Sequence, residues 1–127
     1  MKKIYLSRPL DPAMKEQTRL IEKLLLKFLD DKKLILDQNN MYKIIHDWAW
    51  STDSSKNDFL TRASLISKRI RYMSEADYFI FLEQWMDLPE CKIDWDILMS
   101  YNMTNHITLV MKDGELRLAE GLPQRRI

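Results

Sequence analysis

The chain has 127 residues, 46% hydrophobic and 31% charged, which suits one soluble domain, 1–127, with a core of its own. Twenty basic residues against nineteen acidic ones leave a net charge of +1, so there is no basic excess for a dedicated nucleic-acid surface. One cysteine rules out an internal disulfide, two glycines leave no phosphate-cradling Gly-rich loop, and no apolar run reaches a membrane span.

Lys3 to Ser7 (KIYLS) is predicted to be a short strand ending at a Ser-Arg-Pro-Leu turn. It is too short for the apolar core of a signal peptide, and with the lone cysteine this points to a cytoplasmic protein. Asp11-Pro12 reads as a helix start, an N-cap acid followed by proline at the first helical position. Met14, Ile21, Leu24, Leu25, Phe28 and Leu29 then recur at helical spacing to about Asp30 or Asp31. Leu34-Ile35-Leu36 is expected as the second strand, completing a right-handed βαβ unit. Met41 to Trp50 reads as a short helix, and Ser51 to Asn57 as loop. Trp48 and Trp50 fit either a lid over a site or simple packing.

Asp58 to Ser74 is predicted helical, with Phe59, Ala63, Ile66, Ile70 and Met73 as its apolar stripe. Arg62, Lys68, Arg69 and Arg71 read as a solvated face. Tyr78 to Leu82 is a continuous apolar run, as expected of a strand covered on both faces. It ends at Glu83-Gln84-Trp85, and Pro89 opens another helix. Asn105 to Met111 and Glu115 to Ala119 are strands joined by Asp113-Gly114, a strong hairpin signal. The order β-α-β-(α)-α-β-α-β-β implies an α/β fold of three layers, α-β-α, with a mostly parallel sheet and a C-terminal antiparallel edge hairpin.

Five acids fall between positions 77 and 94: Asp77, Glu83, Asp87, Glu90 and Asp94. They surround the end of the apolar strand, and ligands of such sheets bind at the carboxyl ends of the strands. Glu90 and Asp94 are one helical turn apart and share a face. His46, His106 and Cys91 lack metal-ligand spacing, and no Gly-x-Ser-x-Gly elbow is present. Carboxylate chemistry therefore remains, either as charges at a helix start or as a nucleophile of the kind glycosidic-bond cleavage requires.

Three blocks together resemble the nucleoside 2-deoxyribosyltransferase-like family, in particular its small phage and prophage members. KIYLSRPLD is similar to the family's opening strand and Ser-Gly-Pro loop. EADYFIFLEQW is similar to its Asp-strand-Trp block, and WMDLPECKIDWDILMSYN to its Trp, x, x, Ser, x, Gly, Ala or Cys, x, x, Glu pattern. The resemblance implies a flavodoxin- or Rossmann-like sheet, a nucleoside or nucleotide ligand, no cofactor and a homodimer or higher homo-oligomer. It places the catalytic carboxylate, the nucleophile of a deoxyribosyltransferase or N-ribohydrolase, on Asp94. Tyr5, Ser7 and Arg8 would line the sugar or phosphate end. Trp85, Asp87 and Glu90 would shape the pocket, and Asp77 would be the strand-leading acid, mainly structural.

The chain departs from the pattern at Arg8, where the family has glycine, and at Leu88 and Glu90, where it has serine and glycine. Asp94 is one methylene shorter than glutamate. These departures imply an alternative, a member that keeps the fold and binds a nucleotide-like ligand or a partner protein without catalysis.

Overall fold

A computed structural model describes residues 2–32, 42–45, 59–103 and 105–119. Among these residues five strands form one sheet: β1 (Lys2–Leu6), β2 (Tyr42–Ile44), β3 (Tyr78–Leu82), β4 (His106–Lys112) and β5 (Glu115–Leu118). Their order across the sheet is β2-β1-β3-β4-β5. The first four run parallel, and β5 returns antiparallel along β4. This is the doubly wound order in which the chain reverses direction across the sheet between β1 and β3.

Among the described residues three α-helices cover the sheet: α1 (Lys15–Lys32), α2 (Phe59–Glu75) and α3 (Pro89–Ser100). Strand alternation divides the core between the two faces. Ile4, Leu6, Ile44, Ile80, Leu82, Ile107, Leu109 and Leu116 pack with Ile21, Leu25, Phe28 and Leu29 of α1. Tyr5, Phe79 and Phe81 point the other way, onto Met73 of α2 and Leu98 of α3. The expected three-layer α/β fold is the observed one.

Local chemistry accounts for the boundaries. Asp11 accepts from the Ala13 N–H at 3.0 Å, and a single 3₁₀ turn (Pro12–Met14) then leads into α1. Asn102 ends α3 with φ 53°. Met103 N–H donates to Leu98 O at 3.0 Å and Asn102 N–H to Met99 O at 3.3 Å, the paired bonds of a Schellman cap. Asp113 and Gly114 have φ of 54° and 76°, so the two-residue hairpin loop is type I′, whose twist suits the flanking strands.

Two expectations are corrected. Tyr42–Ile44 is not helical: it is β2, in parallel register with Lys2–Ile4. Ile44 enters the core beside Ile4, which a three-residue strand can do and a surface helix turn here would not. The predicted strand Leu34–Leu36 and the Trp48/Trp50 segment lie outside the described residues. In α2, Arg69 is buried (1% exposed) and Ile70 is 45% exposed, the reverse of the predicted faces. The inward stripe is Ile66, Arg69 and Met73, at helical spacing, and Arg69 is drawn in by a buried acid described next.

Candidate functional site

Beyond its last paired residue β1 continues through Ser7, whose N–H donates to Ile80 O at 2.9 Å. This is the carboxyl end of β1, beside the reversal point. α3 crosses here: Cys91 joins the α1-side cluster and Leu98 the opposite one, with Asp94 between them. Asp94 is 0% exposed.

Asp94 gathers donors from β1 with its continuation and from α2. Its Oδ2 accepts from the Tyr5 hydroxyl at 2.8 Å and the Ser7 hydroxyl at 2.7 Å. Arg69 reaches across from α2, with Nη2 2.5 Å from the same oxygen and Nε 3.4 Å from Oδ1. Arg69 Nη1 also donates to Arg8 O at 2.7 Å, so one guanidinium ties α2 to both α3 and the loop after β1. Three donors converge on Oδ2, Oδ1 faces only the longer Arg69 Nε contact, and the guanidinium balances the carboxylate in a region otherwise closed to water.

The surroundings fix the protonation of each neighbour. Burial raises the Tyr5 hydroxyl well above its ordinary value; Arg69 opposes this and Asp94 adds to it. Tyr5 is therefore a neutral donor. Burial works against the Arg69 charge, but the Asp94 carboxylate, through its charge and its hydrogen bond, outweighs this and holds the guanidinium above its usual range. Burial pushes the Cys91 thiol up to about 12, with Arg69 and a Ser7 hydrogen bond acting against it. A thiol so held is no nucleophile near neutral pH.

A second ion pair lies alongside. Arg8 is 2% exposed and its Nη1 contacts the Glu22 carboxylate of α1. Its Nε and Nη2 donate to Leu6 O and Ile45 O, both at 3.3 Å. Burial lowers the Arg8 guanidinium to about 10, with Glu22 opposing the shift. Arg8 thus links β1, the end of β2 and α1 from inside, with its donors turned to protein acceptors.

The other sequence-derived candidates scatter. Glu90 turns back to the first loop, its Oε1 accepting from Leu10 N–H at 3.0 Å. Trp85 lies in the α1-side core, 2% exposed, and its indole N–H finds no acceptor among the described residues. Asp87 is exposed in the turn before α3. Asp77 stands at the opposite, amino end of β3, where its Oδ2 accepts from Lys3 N–H at 2.8 Å. Tyr5, Ser7 and Asp94 therefore share one buried cluster, which Arg8 joins through its backbone carbonyl while its side chain turns to Glu22; Glu90 borders it, and Trp85, Asp87 and Asp77 lie apart. Arg69, read from the sequence as part of a solvated face, is the central member of that cluster.

Two shallow surface depressions lie elsewhere. One is formed by Glu16, Arg19, Leu20, Glu22, Lys23 and Leu26 on α1, the other by Ile93, Asp96, Ile97, Ser100 and Tyr101 on α3. Among the described residues, no group of three His, Cys, Asp or Glu side chains is placed to hold a metal ion, and no helix is long and apolar enough to cross a membrane.

Comparison with family models, with curated proteins and with solved structures returned no match to this chain.

Proposed function

We propose that this protein is a nucleoside 2-deoxyribosyltransferase-like domain that binds a nucleotide-like ligand without cleaving its glycosidic bond. The observation that carries the reading is the state of Asp94: fully buried, ion-paired with Arg69, and holding two hydroxyl donors on the same oxygen. A nucleophilic carboxylate must present a lone pair to the anomeric carbon. Oδ2 of Asp94 directs its lone-pair density at three protein donors instead, and Oδ1 is buried against Arg69 Nε at 3.4 Å. Arg8 and Glu90, which stand where the resemblance expects small residues, are likewise committed to internal contacts. The same residues that would have lined a pocket now knit the carboxyl end of the sheet together.

A second reading, an N-glycosidic-bond enzyme with Asp94 as nucleophile, is favoured by one observation. Tyr5, Ser7 and Asp94 converge at the carboxyl end of β1 beside the reversal point, where ligands of this sheet order bind.

One experiment separates the two. The protein is screened with nucleosides and their 5′-monophosphates for thermal stabilisation, and each mixture is chromatographed for free base. A raised Tm without base release is the expected result. Base release that disappears in Asp94→Asn would transfer the assignment to the enzyme, and no shift with any compound would overturn ligand binding.

The partner we expect besides the ligand is a second copy of the chain. Ile93, Met99 and Tyr101 of the α3 region are 38%, 37% and 76% exposed, an apolar surface of the sort homodimers bury. Light scattering tests this directly, a monomer mass at 50 μM being the adverse result.

A further inference from the structure

β5 ends the sheet on one side, and among the described residues no strand pairs with its outer edge. The ladder with β4 fixes which of its backbone groups point there. Leu118 stands opposite Leu109, and one step on, Ala119 N–H donates to Thr108 O at 3.0 Å. Hydrogen-bonded and non-hydrogen-bonded pairs alternate along an antiparallel ladder. Glu115 and Arg117 therefore turn their N–H and C=O groups to β4, and Leu116 and Leu118 turn theirs outward. The side chains divide by face. Leu116 is buried with the α1-side core, whereas Glu115 and Arg117 share the other face, 73% and 50% exposed, with Nη2 and Oε2 3.6 Å apart.

A strand reading Glu-Leu-Arg-Leu with these outward groups is complementary to itself after a half-turn. We propose that β5 pairs antiparallel with β5 of a second copy across a twofold axis, joining the two sheets into one. Leu116 of one copy then stands opposite Leu116 of the other, as a pair hydrogen-bonded through their outward groups. Glu115 stands opposite Arg117 on both sides of the axis, in non-hydrogen-bonded pairs, where side chains approach most closely. A slip of one residue would set an outward-facing residue against an inward-facing one and lose the ladder. A slip of two would set Glu115 against Glu115, or Arg117 against Arg117. The charges of this edge thus close it to other registers and leave one open. Twofold pairing uses up the edge, so the assembly is closed. It also sets both copies of α1, which packs with Leu116, on the same face of the joined sheet, and α1 carries exposed Leu20 and Leu26. The pairing builds on the expectation of a second copy but uses a surface other than α3.

Charge reversal tests it, read by light scattering over a concentration series. Glu115→Arg and Arg117→Glu each set like charges opposite one another twice, and each should weaken assembly at least about tenfold. Mixed in equal amounts, the two variants complement each other and the mass of the parent should return. The double variant carrying both changes keeps the pattern and should match the parent. Leu118→Pro removes an outward N–H that the β4 ladder does not use, and should also lower the mass. All these proteins keep α3 unchanged, so a dimer formed through α3 persists in every one and is read separately. Equal mass in the parent and all variants would overturn the β5 pairing. Single variants that lose mass but do not recover it on mixing would overturn it as well.

Discussion

Arg69 and Asp94, on different helices and 25 positions apart, form a buried ion pair with Nη2 and Oδ2 2.5 Å apart, both side chains 1% exposed. Removing one partner strands the other charge away from water. Asp94→Ala should therefore destabilise the fold by about 3–5 kcal/mol, read from urea melts. Combining it with Arg69→Met should cost less than the sum of the single changes, with a coupling of about 2–3 kcal/mol in a double-mutant cycle. Simple addition of the two losses would mean the pair does not interact in solution. Tyr5→Phe, which removes one of several donors to Asp94, should cost only about 1 kcal/mol.

The Arg8–Glu22 pair makes a parallel case on the opposite face. Arg8→Gly removes the charge that accompanies a carboxylate of a 9%-exposed residue and also frees two backbone carbonyls. A loss of about 3 kcal/mol is expected. Adding Glu22→Gln should restore part of it, because the stranded charge is then gone. A double variant less stable than Arg8→Gly alone would contradict this account.

These two pairs also show how far the sequence could be read. Asp11-Pro12, the Tyr78–Leu82 run and Asp113-Gly114 are local signals, and each became the element expected of it. Strand-end reasoning points only to the acids around Tyr78–Leu82; Tyr5, Ser7 and Arg8 enter, and Asp94 comes first among the acids, through the family resemblance. Arg69 was hidden because Arg62, Lys68, Arg69 and Arg71 form one charge run, and only tertiary pairing selects which member turns inward. Its spacing was the available clue: Arg69 is three after Ile66 and four before Met73, on their face of the helix. β2 was missed for a different reason. Tyr42-Lys43-Ile44 is too short for its periodicity to distinguish strand from helix.

Alkaline pH should weaken the protein through Cys91. Its thiol is raised to about 12 in the fold and titrates near 9 when unfolded. Between pH 9 and 10 the unfolded chain thus holds fewer protons than the native one, and stability falls as pH rises. The slope from one such group approaches about 1.4 kcal/mol per pH unit. Cys91→Ala removes this contribution, so the stability difference between parent and variant should shrink by about 1 kcal/mol from pH 9 to 10. A difference independent of pH would mean the thiol is not shielded. Fluorescent maleimide should label the native parent at pH 8 far more slowly than the urea-unfolded chain.

Two turn positions give opposite outcomes for changes involving glycine. Gly114 has φ 76° and open space around it, so Gly114→Ala meets no clash and carries only the left-handed backbone penalty, about 1 kcal/mol. Asn102 adopts φ 53° as the residue closing the α3 cap, where glycine is the preferred occupant. Asn102→Gly should leave stability unchanged or raise it by a few tenths of a kcal/mol, whereas Asn102→Val should lower it by more than 1 kcal/mol. Thermal melts of the three variants decide both.

The sheet order carries a consequence for synthesis on the ribosome. β1 is made first but lies in the interior of the sheet, and its partner on one side is β3, with Ile4 opposite Tyr78. At a translation rate of about 5–20 residues per second, the apolar Ile4-Tyr5-Leu6 segment waits about 4–15 s for that neighbour. Throughout that interval the nascent chain presents an unpaired, hydrophobic strand edge, the form most prone to pairing with the wrong molecule. Lys2 and Lys3, immediately before it, put two positive charges at that vulnerable end. The contacts that β1 waits for, with β3 and through Tyr5 with Asp94, are therefore those whose delay leaves it most exposed, and a holding chaperone would find its target at Ile4-Tyr5-Leu6.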